Sequence, residues 1–491
     1  MLQTKDYKHF QVGDFSFEGA HLANKALPGD HVEICDGQVK LIKRVQHKLV
    51  GTLELASKYR YGMTAKNHPI YLFTPFSESY PPFYVGSAHK GTQNVLAIAE
   101  FSNWTETCPR GNLERILGVA GELAVEEEAL TLHAVNAKWK TQPLVEPPPL
   151  PTGPTAFHID PPGCRDIDDA ITITPQGDFT EVQIHIADVA SWLTLNPWLM
   201  RAEEFGQTLY KDGVAIKPMF PLELSEGTFS LLPGEDRRAY TLRFLWNKTT
   251  KTMEGIRWSL QMIRVTQSFT YDSITPVIAA QLEEICSGIA GRPITDSHEW
   301  IEQLMLLYNR EAAKVLREKG QGILRRHKKH DCYDLYQKLG LPANRLAMAA
   351  GEYCLATDSD TKHWGLGQDV YCHATSPIRR WSDCVNQMVL LGHAILPRPE
   401  HLNVRSKALK AYERDLTLVR ALLGPSVVLD GVILEKRVWI PAWGYVLKVD
   451  TTLQPGQKVR VQYFCDATKR NWKRRLVLKL EPVDPVEPVL T

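Results

Sequence analysis

The stretch His158-Ile159-Asp160-Pro161-Pro162-Gly163-Cys164-Arg165-Asp166-Ile167-Asp168-Asp169-Ala170 places four aspartates within ten residues. Carboxylates this close repel, and each raises the pKa of the others unless a cation shares the site. Pro161, Pro162 and Gly163 mark a bend between Asp160 and the other three. Apolar residues flank the cluster, Phe157 and Ile159 before it and Ala170-Ile171-Thr172-Ile173 after it. Strand, bend, strand is the local expectation. A hard ion such as Mg²⁺ suits such a bend, held by a few carboxylates, waters and substrate phosphate. The competing reading is a solvated Asp-rich turn with capping roles.

Working outward, 491 residues call for several domains and a sizeable core. With 44% hydrophobic and 23% charged residues, the composition is that of a soluble globular protein. The first residues, Met1 to Lys8, contain no apolar core of a signal peptide, and no apolar run approaches bilayer length. The nine cysteines show no C-x-x-C pair. That argues against a disulfide framework or a zinc site and for a reducing compartment, either cytoplasm or an organelle matrix. A net charge of +1 means that any nucleic-acid contact relies on local charge.

Three basic clusters supply it: Arg325 to His330, Thr375 to Trp381, and Lys469 to Arg475. Basic residues interleaved with tryptophan suit a phosphate backbone whose bases are free to stack. For the third cluster a solvated hairpin turn is an equal alternative. In the second, Ser376-Pro377 reads as a turn and Ile378 to Leu391 as a helix, which puts Arg379 and Arg380 in its first turn. Cations there oppose the helix dipole, so the pattern points to an anionic partner such as phosphate.

The proline-dense segment 141–156 is expected to be a stiff linker. Before it, short alternating strands suggest two small β-barrels, 1–60 and 61–140. A mixed helix-and-strand domain spans 157–424, and strand patterns return over 425–491, ending in the tail EPVDPVEPVLT. The expected fold is therefore multidomain α+β, a mixed domain flanked by small OB-type barrels.

HIDPPGCRDIDDAITI followed by VQIHIADVASWL resembles the core signature of the RNB exoribonucleases, the family of bacterial ribonucleases II and R and the eukaryotic exosome nuclease. The resemblance continues through IKPMFPLELSEGTFSLLPGEDRRAYTLRF, MLLYNREAAKVL and YCHATSPIRRWSDCVNQ, and covers roughly 157–424. It implies two cold-shock-like barrels before an RNB catalytic domain and a shortened S1-like barrel after it. It also implies a Mg²⁺-dependent, processive 3′→5′ exoribonuclease that acts on single-stranded RNA and works as a monomer.

By the same resemblance, Asp160, Asp166, Asp168 and Asp169 hold the metal, with Asp168 and Asp169 catalytic and Asp168 beside the attacking water. Arg379 matches the arginine that clamps the scissile phosphate. Arg380 either supports it or pairs with Asp383. Tyr210 matches the tyrosine that packs on the terminal nucleotide, and Tyr271 another near the RNA path, although it reads equally as a core tyrosine. Glu413 matches a glutamate near the RNA 3′ end, with an exposed helix carboxylate as the alternative. His327 falls where the family has an Arg-x-His sequence.

Departures from the family pattern are a short segment between Tyr271 and Glu302, which lacks an identifiable second clamp aromatic, and Trp381 and Cys384 after the arginine pair. Two other function classes compete with an exonuclease. One is an inactive RNA-binding scaffold of the same fold, and the other is a metal-dependent phosphohydrolase acting on a small substrate.

Overall fold

The computed structural model describes residues 1–35, 37–346, 351–466 and 476–483. The basic cluster Lys469 to Arg475 and the tail beyond Val483 lie outside the described residues. The chain divides into two compact units, Met1–Asn136 with Lys410–Thr491, and Ala137–Leu409.

In the first unit, residues up to Lys43 form a three-stranded sheet and a hairpin, His31–Cys35 with Gln38–Lys43. A closed five-stranded barrel follows, from Lys48–Leu53 to Arg110–Val119. The boundary expected at residue 60 therefore falls inside this barrel, because Lys48–Leu53 pairs with both Ile70–Pro75 and Val95–Asn103. One apolar cluster joins Leu2, Phe10, Leu27 and Val39 to Phe73 and Phe83, so the two parts share a core. A separate five-stranded sheet runs from Leu429–Ile433 to Leu476–Pro482, with its own core of Ile433, Val438, Ile440, Val459 and Val461.

The second unit is built on another closed barrel, of β1 (Thr152–Ile159), β2 (Asp169–Gln176), β3 (Phe179–Ala187), β4 (Asp236–Asn247) and β5 (Thr252–Phe269). Neighbours are antiparallel except β1 and β5, which close the barrel in parallel. β1 takes in the last residues of the expected proline linker. Pro154 has no N–H to give the ladder, and the β1–β5 register slips between Thr152 and Thr155.

Alternation on β3 and β4 turns Val182, Ile184, Ile186, Leu242, Phe244 and Trp246 to one face. There they pack on two helices, α1 (Pro276–Ala290) and α2 (Ser297–Lys319), through Leu282, Ile285, Leu304 and Tyr308. Gly288 makes this close approach possible, since a Cβ there would sit 2.3 Å from the Trp246 ring. Among the described residues no helix is long and apolar enough to cross a membrane.

The opposite face carries a buried polar network. His185 is fully buried, with Nε2 2.9 Å from Thr172 Oγ1 and Nδ1 2.8 Å from Thr241 Oγ1. The Thr172 hydroxyl donates to Thr155 O, so the imidazole is held neutral between two hydroxyls. Burial pushes its pKa down to about 3. Below about pH 6.5 the unfolded chain gains a proton that the folded one refuses, so His185 costs stability as the pH falls toward 3. The stability advantage of wild type over H185Q should shrink as pH drops from 7 to 4, by up to about 1.4 kcal/mol per pH unit. Urea-unfolding midpoints across that range check it, and a constant difference would contradict it.

Candidate active site

The end of β1 and the start of β2 set the aspartates. Asp160 N–H donates to Phe269 O at 3.1 Å, continuing the β1–β5 ladder one residue past its end. Pro161, Pro162 and Gly163 (φ +81°) then turn the chain, closed by Cys164 N–H to Pro161 O at 3.2 Å. The loop is pinned from across the barrel by Ser230. Its hydroxyl donates to Arg165 O at 2.7 Å and accepts Ile167 N–H at 2.9 Å. Strand, bend, strand is the arrangement found.

The loop borders a cleft of about 750 Å³, whose walls include Asp160, Asp166, Asp168, Asp169, Tyr210, Tyr271, Arg379 and Arg380. Asp168 is the best-anchored carboxylate and only 3% exposed. Its Oδ1 accepts Ile378 N–H and its Oδ2 accepts Arg379 Nε–H, both at 2.9 Å. Burial nevertheless pushes its pKa up to about 7, against the pull of Arg379.

Asp169 is likewise raised, by burial and then by the like charges of Asp160 and Asp168. Among the described residues its carboxylate has no hydrogen-bond partner. Asp166 accepts the Tyr210 hydroxyl at 2.6 Å and the Cys164 thiol at 3.6 Å. Asp160 accepts His158 Nδ1–H at 2.8 Å, and His158 Nε2 accepts the Ser268 hydroxyl at 2.7 Å.

The arginine pair differs from the sequence expectation. The helix (α3, Trp381–Leu390) starts after both arginines, with Arg380 extended at its N-cap. The preceding segment is instead a turn, with Arg380 N–H donating to Ser376 O at 2.9 Å. It ends in a single antiparallel bridge between Arg380 and Gln207: Thr208 N–H donates to Arg379 O, and Trp381 N–H to Gly206 O, both at 2.9 Å. The same pairing sets up the hairpin that carries Tyr210, Leu209–Lys211 with Val214–Lys217. Asp383, in the first turn of α3, accepts Ser376 N–H and Arg380 Nη2–H, both at 2.8 Å. This carboxylate already balances the cations at the helix start, so their position does not by itself require phosphate. Arg380 thus pairs with Asp383 while still bordering the cleft.

Tyr271 sits at the cleft wall, its hydroxyl pKa raised by burial and then by Asp160 and Asp169. His327 is elsewhere. It is 4% exposed, its Nδ1 accepts Gly365 N–H at 3.1 Å, and its ring stacks on His363 with centroids 5.1 Å apart. Glu413 is exposed on the helix Pro399–Leu423 and belongs to the other unit.

Residues missed by sequence reasoning are mainly positioning ones. Ser376 Oγ accepts Arg379 Nη2–H at 3.0 Å. Buried Asn309 on α2 accepts Ala374 N–H at 2.7 Å and donates to the Tyr371 hydroxyl at 3.1 Å, fixing the segment before the arginines. A lone serine or asparagine gives no pattern; only the polar position on the apolar face of α2 could have flagged Asn309.

The donors around the cleft are hard oxygens, and their charge is unbalanced. Among the described residues Asp168 alone of the four aspartates is bonded to an arginine, Arg379, and Arg380 is spent on Asp383. Such a set fits a hard divalent ion. In this arrangement, among the described residues, no three acidic, histidine or cysteine side chains converge on one ion position.

The RNB domain family matches residues 152–290 and 277–395, and the Dis3-like cold-shock domain 2 (CSD2) family matches 70–134. The chain is similar to the exosome complex exonuclease RRP44 of Mus musculus, 24% identical over 426 residues. That alignment covers 65% of this chain and 44% of the relative, so the chain spans less than half of its length. It is also similar in fold to a solved structure of Mycoplasma genitalium RNase R in complex with ribose-methylated single-stranded RNA. The TM-score is 0.70 at 15% identity, covering 96% of this chain and 98% of the other. Yeast Ssd1, described as a pseudonuclease, gives a TM-score of 0.63 at 16% identity, over 90% and 69% of the two chains. The matched RNB segment contains all four aspartates, Tyr210, Tyr271 and both arginines of the cleft, and the chain belongs to the RNB family.

Proposed function

We propose that this protein is a Mg²⁺-dependent 3′→5′ exoribonuclease that processively hydrolyses single-stranded RNA to nucleoside 5′-monophosphates. The observation that carries this reading is the cleft itself, where Asp168, clamped by Arg379, stands among three further carboxylates that the chain leaves short of positive charge. Asp160, Asp166, Asp168 and Asp169 would hold the ion. When bound, a divalent cation supplies charge for the nonbridging oxygens and lowers the pKa of the attacking water.

The chain's own groups do the positioning. Arg379 spends Nε on Asp168 and Nη2 on Ser376, and its Nη1 hydrogens remain to grip the scissile phosphate. The P–O3′ bond breaks, the preceding nucleotide leaves with a free 3′-hydroxyl, and the terminal one departs as its 5′-monophosphate. Tyr210 has two functions in this reading. Its hydroxyl orients Asp166, and its ring stacks on the terminal base. The barrel and sheets of the first unit would contribute single-strand contacts through basic and aromatic side chains.

The likeness to Ssd1 favours a second reading, a binder that has lost catalysis. The retained carboxylates argue against it, because a binder gains nothing from their repulsion.

Tyr210 separates its two roles by substitution. Y210F keeps the stack and frees Asp166, so kcat should fall a few-fold with KM unchanged. Y210A loses a stack worth about 1–3 kcal/mol, so KM for short RNA should rise roughly 5- to 150-fold. Steady-state kinetics on short oligoribonucleotides check both. Chromatography of the products from single-stranded RNA, with Mg²⁺ or with EDTA, tests the function. Nucleoside 5′-monophosphates formed only with Mg²⁺ are expected. Nucleoside 3′-phosphates, or RNA left intact with Mg²⁺, would overturn the reading.

A further inference from the structure

Between Thr270 and Ser297 the chain runs out along α1, reverses at Gly291 (φ +67°) and returns through α2. Both ends of this excursion are fixed. Tyr271 lies in a tight turn in which Ser273 N–H donates to Thr270 O at 3.0 Å and Thr270 N–H to Ser273 Oγ at 2.8 Å. That turn begins just after Phe269, whose carbonyl anchors Asp160. At the other end, Asp296 caps α2 by accepting His298 N–H at 2.9 Å, and its Oδ1 lies 3.1 Å from His298 Nδ1.

The return lays His298 flat on Tyr271. The ring centroids are 3.9 Å apart and the planes 12° from parallel. Tyr271 borders the cleft; His298 backs it and is itself largely exposed. The helix alone gives no reason for a histidine here. Alanine is the better helix former, and a protonated imidazole opposes the dipole at a helix N-terminus. Beyond its contact with Asp296, the imidazole adds the stack. It covers one face of Tyr271 and restricts the ring to one orientation beside Asp160.

We propose that His298 is a positioning residue for the RNA 3′ end, stacking on Tyr271 so that this ring forms a fixed wall against which the terminal nucleotides are held. The inference rests on the exoribonuclease reading of the cleft. An aromatic stack of this kind corresponds to roughly a 2- to 10-fold change in an equilibrium.

The test uses the full chain with H298A and H298F, on 5′-labelled single-stranded RNA. H298A should raise KM for short RNA roughly 2- to 10-fold, leave kcat within about two-fold, and lengthen the limit product. H298F keeps a stacking ring without the Asp296 bond and should restore both KM and product length. Wild-type values in H298A, or an H298F that behaves like H298A, would overturn the proposal. Binding of the same RNA, read by fluorescence anisotropy in a D168N background, gives a second readout independent of turnover. If wild type proves inactive, the exoribonuclease reading fails. The anisotropy then still decides the role of His298, and equal affinities of D168N and D168N/H298A would refute it.

Discussion

Replacing Asp168 with asparagine is expected to abolish RNA hydrolysis, by about 10³-fold or more, while RNA binding survives. The magnitude follows from losing several kcal/mol of charge stabilisation at the reacting phosphate, where each 1.36 kcal/mol is a factor of ten. The structure makes this position more exacting than its neighbours. Both carboxylate oxygens are used, one by Ile378 N–H and the other by Arg379 Nε–H. Asparagine offers one oxygen and one NH₂ group, so one of those donors must face another donor. Leaving a buried donor unpaired costs about 1–3 kcal/mol, so D168N should also be measurably less stable. Asp160 accepts from the His158 side chain and Asp166 from the Tyr210 hydroxyl and the Cys164 thiol, none of them a backbone N–H or a guanidinium. Their asparagine variants should therefore lose activity with a smaller loss of stability. Activity assays with urea unfolding on all three separate the two effects. Equal destabilisation across the three would contradict this assignment.

The second large effect is expected at Arg379. R379A should lower kcat about 10²- to 10³-fold, the cost typical of removing one preorganised transition-state donor. It also strips the charge partner from a carboxylate that is almost fully buried. Breaking such a pair costs about 3–5 kcal/mol when the remaining charge cannot neutralise. Asp168 has an escape, because its pKa already stands at about 7 and it can take up a proton. The stability loss in R379A should therefore grow from pH 6 to pH 8, as holding Asp168 ionised becomes an issue. R379K keeps the charge, but an ammonium cannot reach Asp168, Ser376 and a phosphate with the geometry of a guanidinium. It should recover stability more than activity. Activity recovered to wild type in R379K would mean that the arginine serves only as a point charge.

Much of this site was legible in the sequence because its metal-type ligands are local. Asp160 to Asp169 lie on one bend, and the bend is written in Pro161, Pro162 and Gly163. The contacts that give those carboxylates their different environments are not local. Asp168 meets Arg379 across 211 positions, and Ser230 pins the loop from 63 residues beyond Ile167. Periodicity carries no information about such pairings. It also misled at the arginines: the apolar spacing beginning at Ile378 suits a helix, but a turn over Pro377 to Arg379 and the bridge from Arg380 to Gln207 delay the helix until Trp381. His327 shows the reverse problem. A histidine inside a basic run looks exposed in sequence, whereas the fold buries it beneath His363 and Trp364. The boundary in the N-terminal β region was not legible because a strand of the barrel has the same alternation as a strand of the sheets before it.

The central claim is that the aspartate bend with Arg379 forms a metal-dependent hydrolytic centre working from the RNA 3′ end. Its most direct test follows 5′-labelled single-stranded RNA with Mg²⁺ or EDTA, using wild type and D168N. The account predicts a Mg²⁺-dependent ladder that shortens to a small 5′ fragment in wild type, with none in D168N. Intact RNA in both proteins, each still shifting the RNA on a native gel, would contradict it.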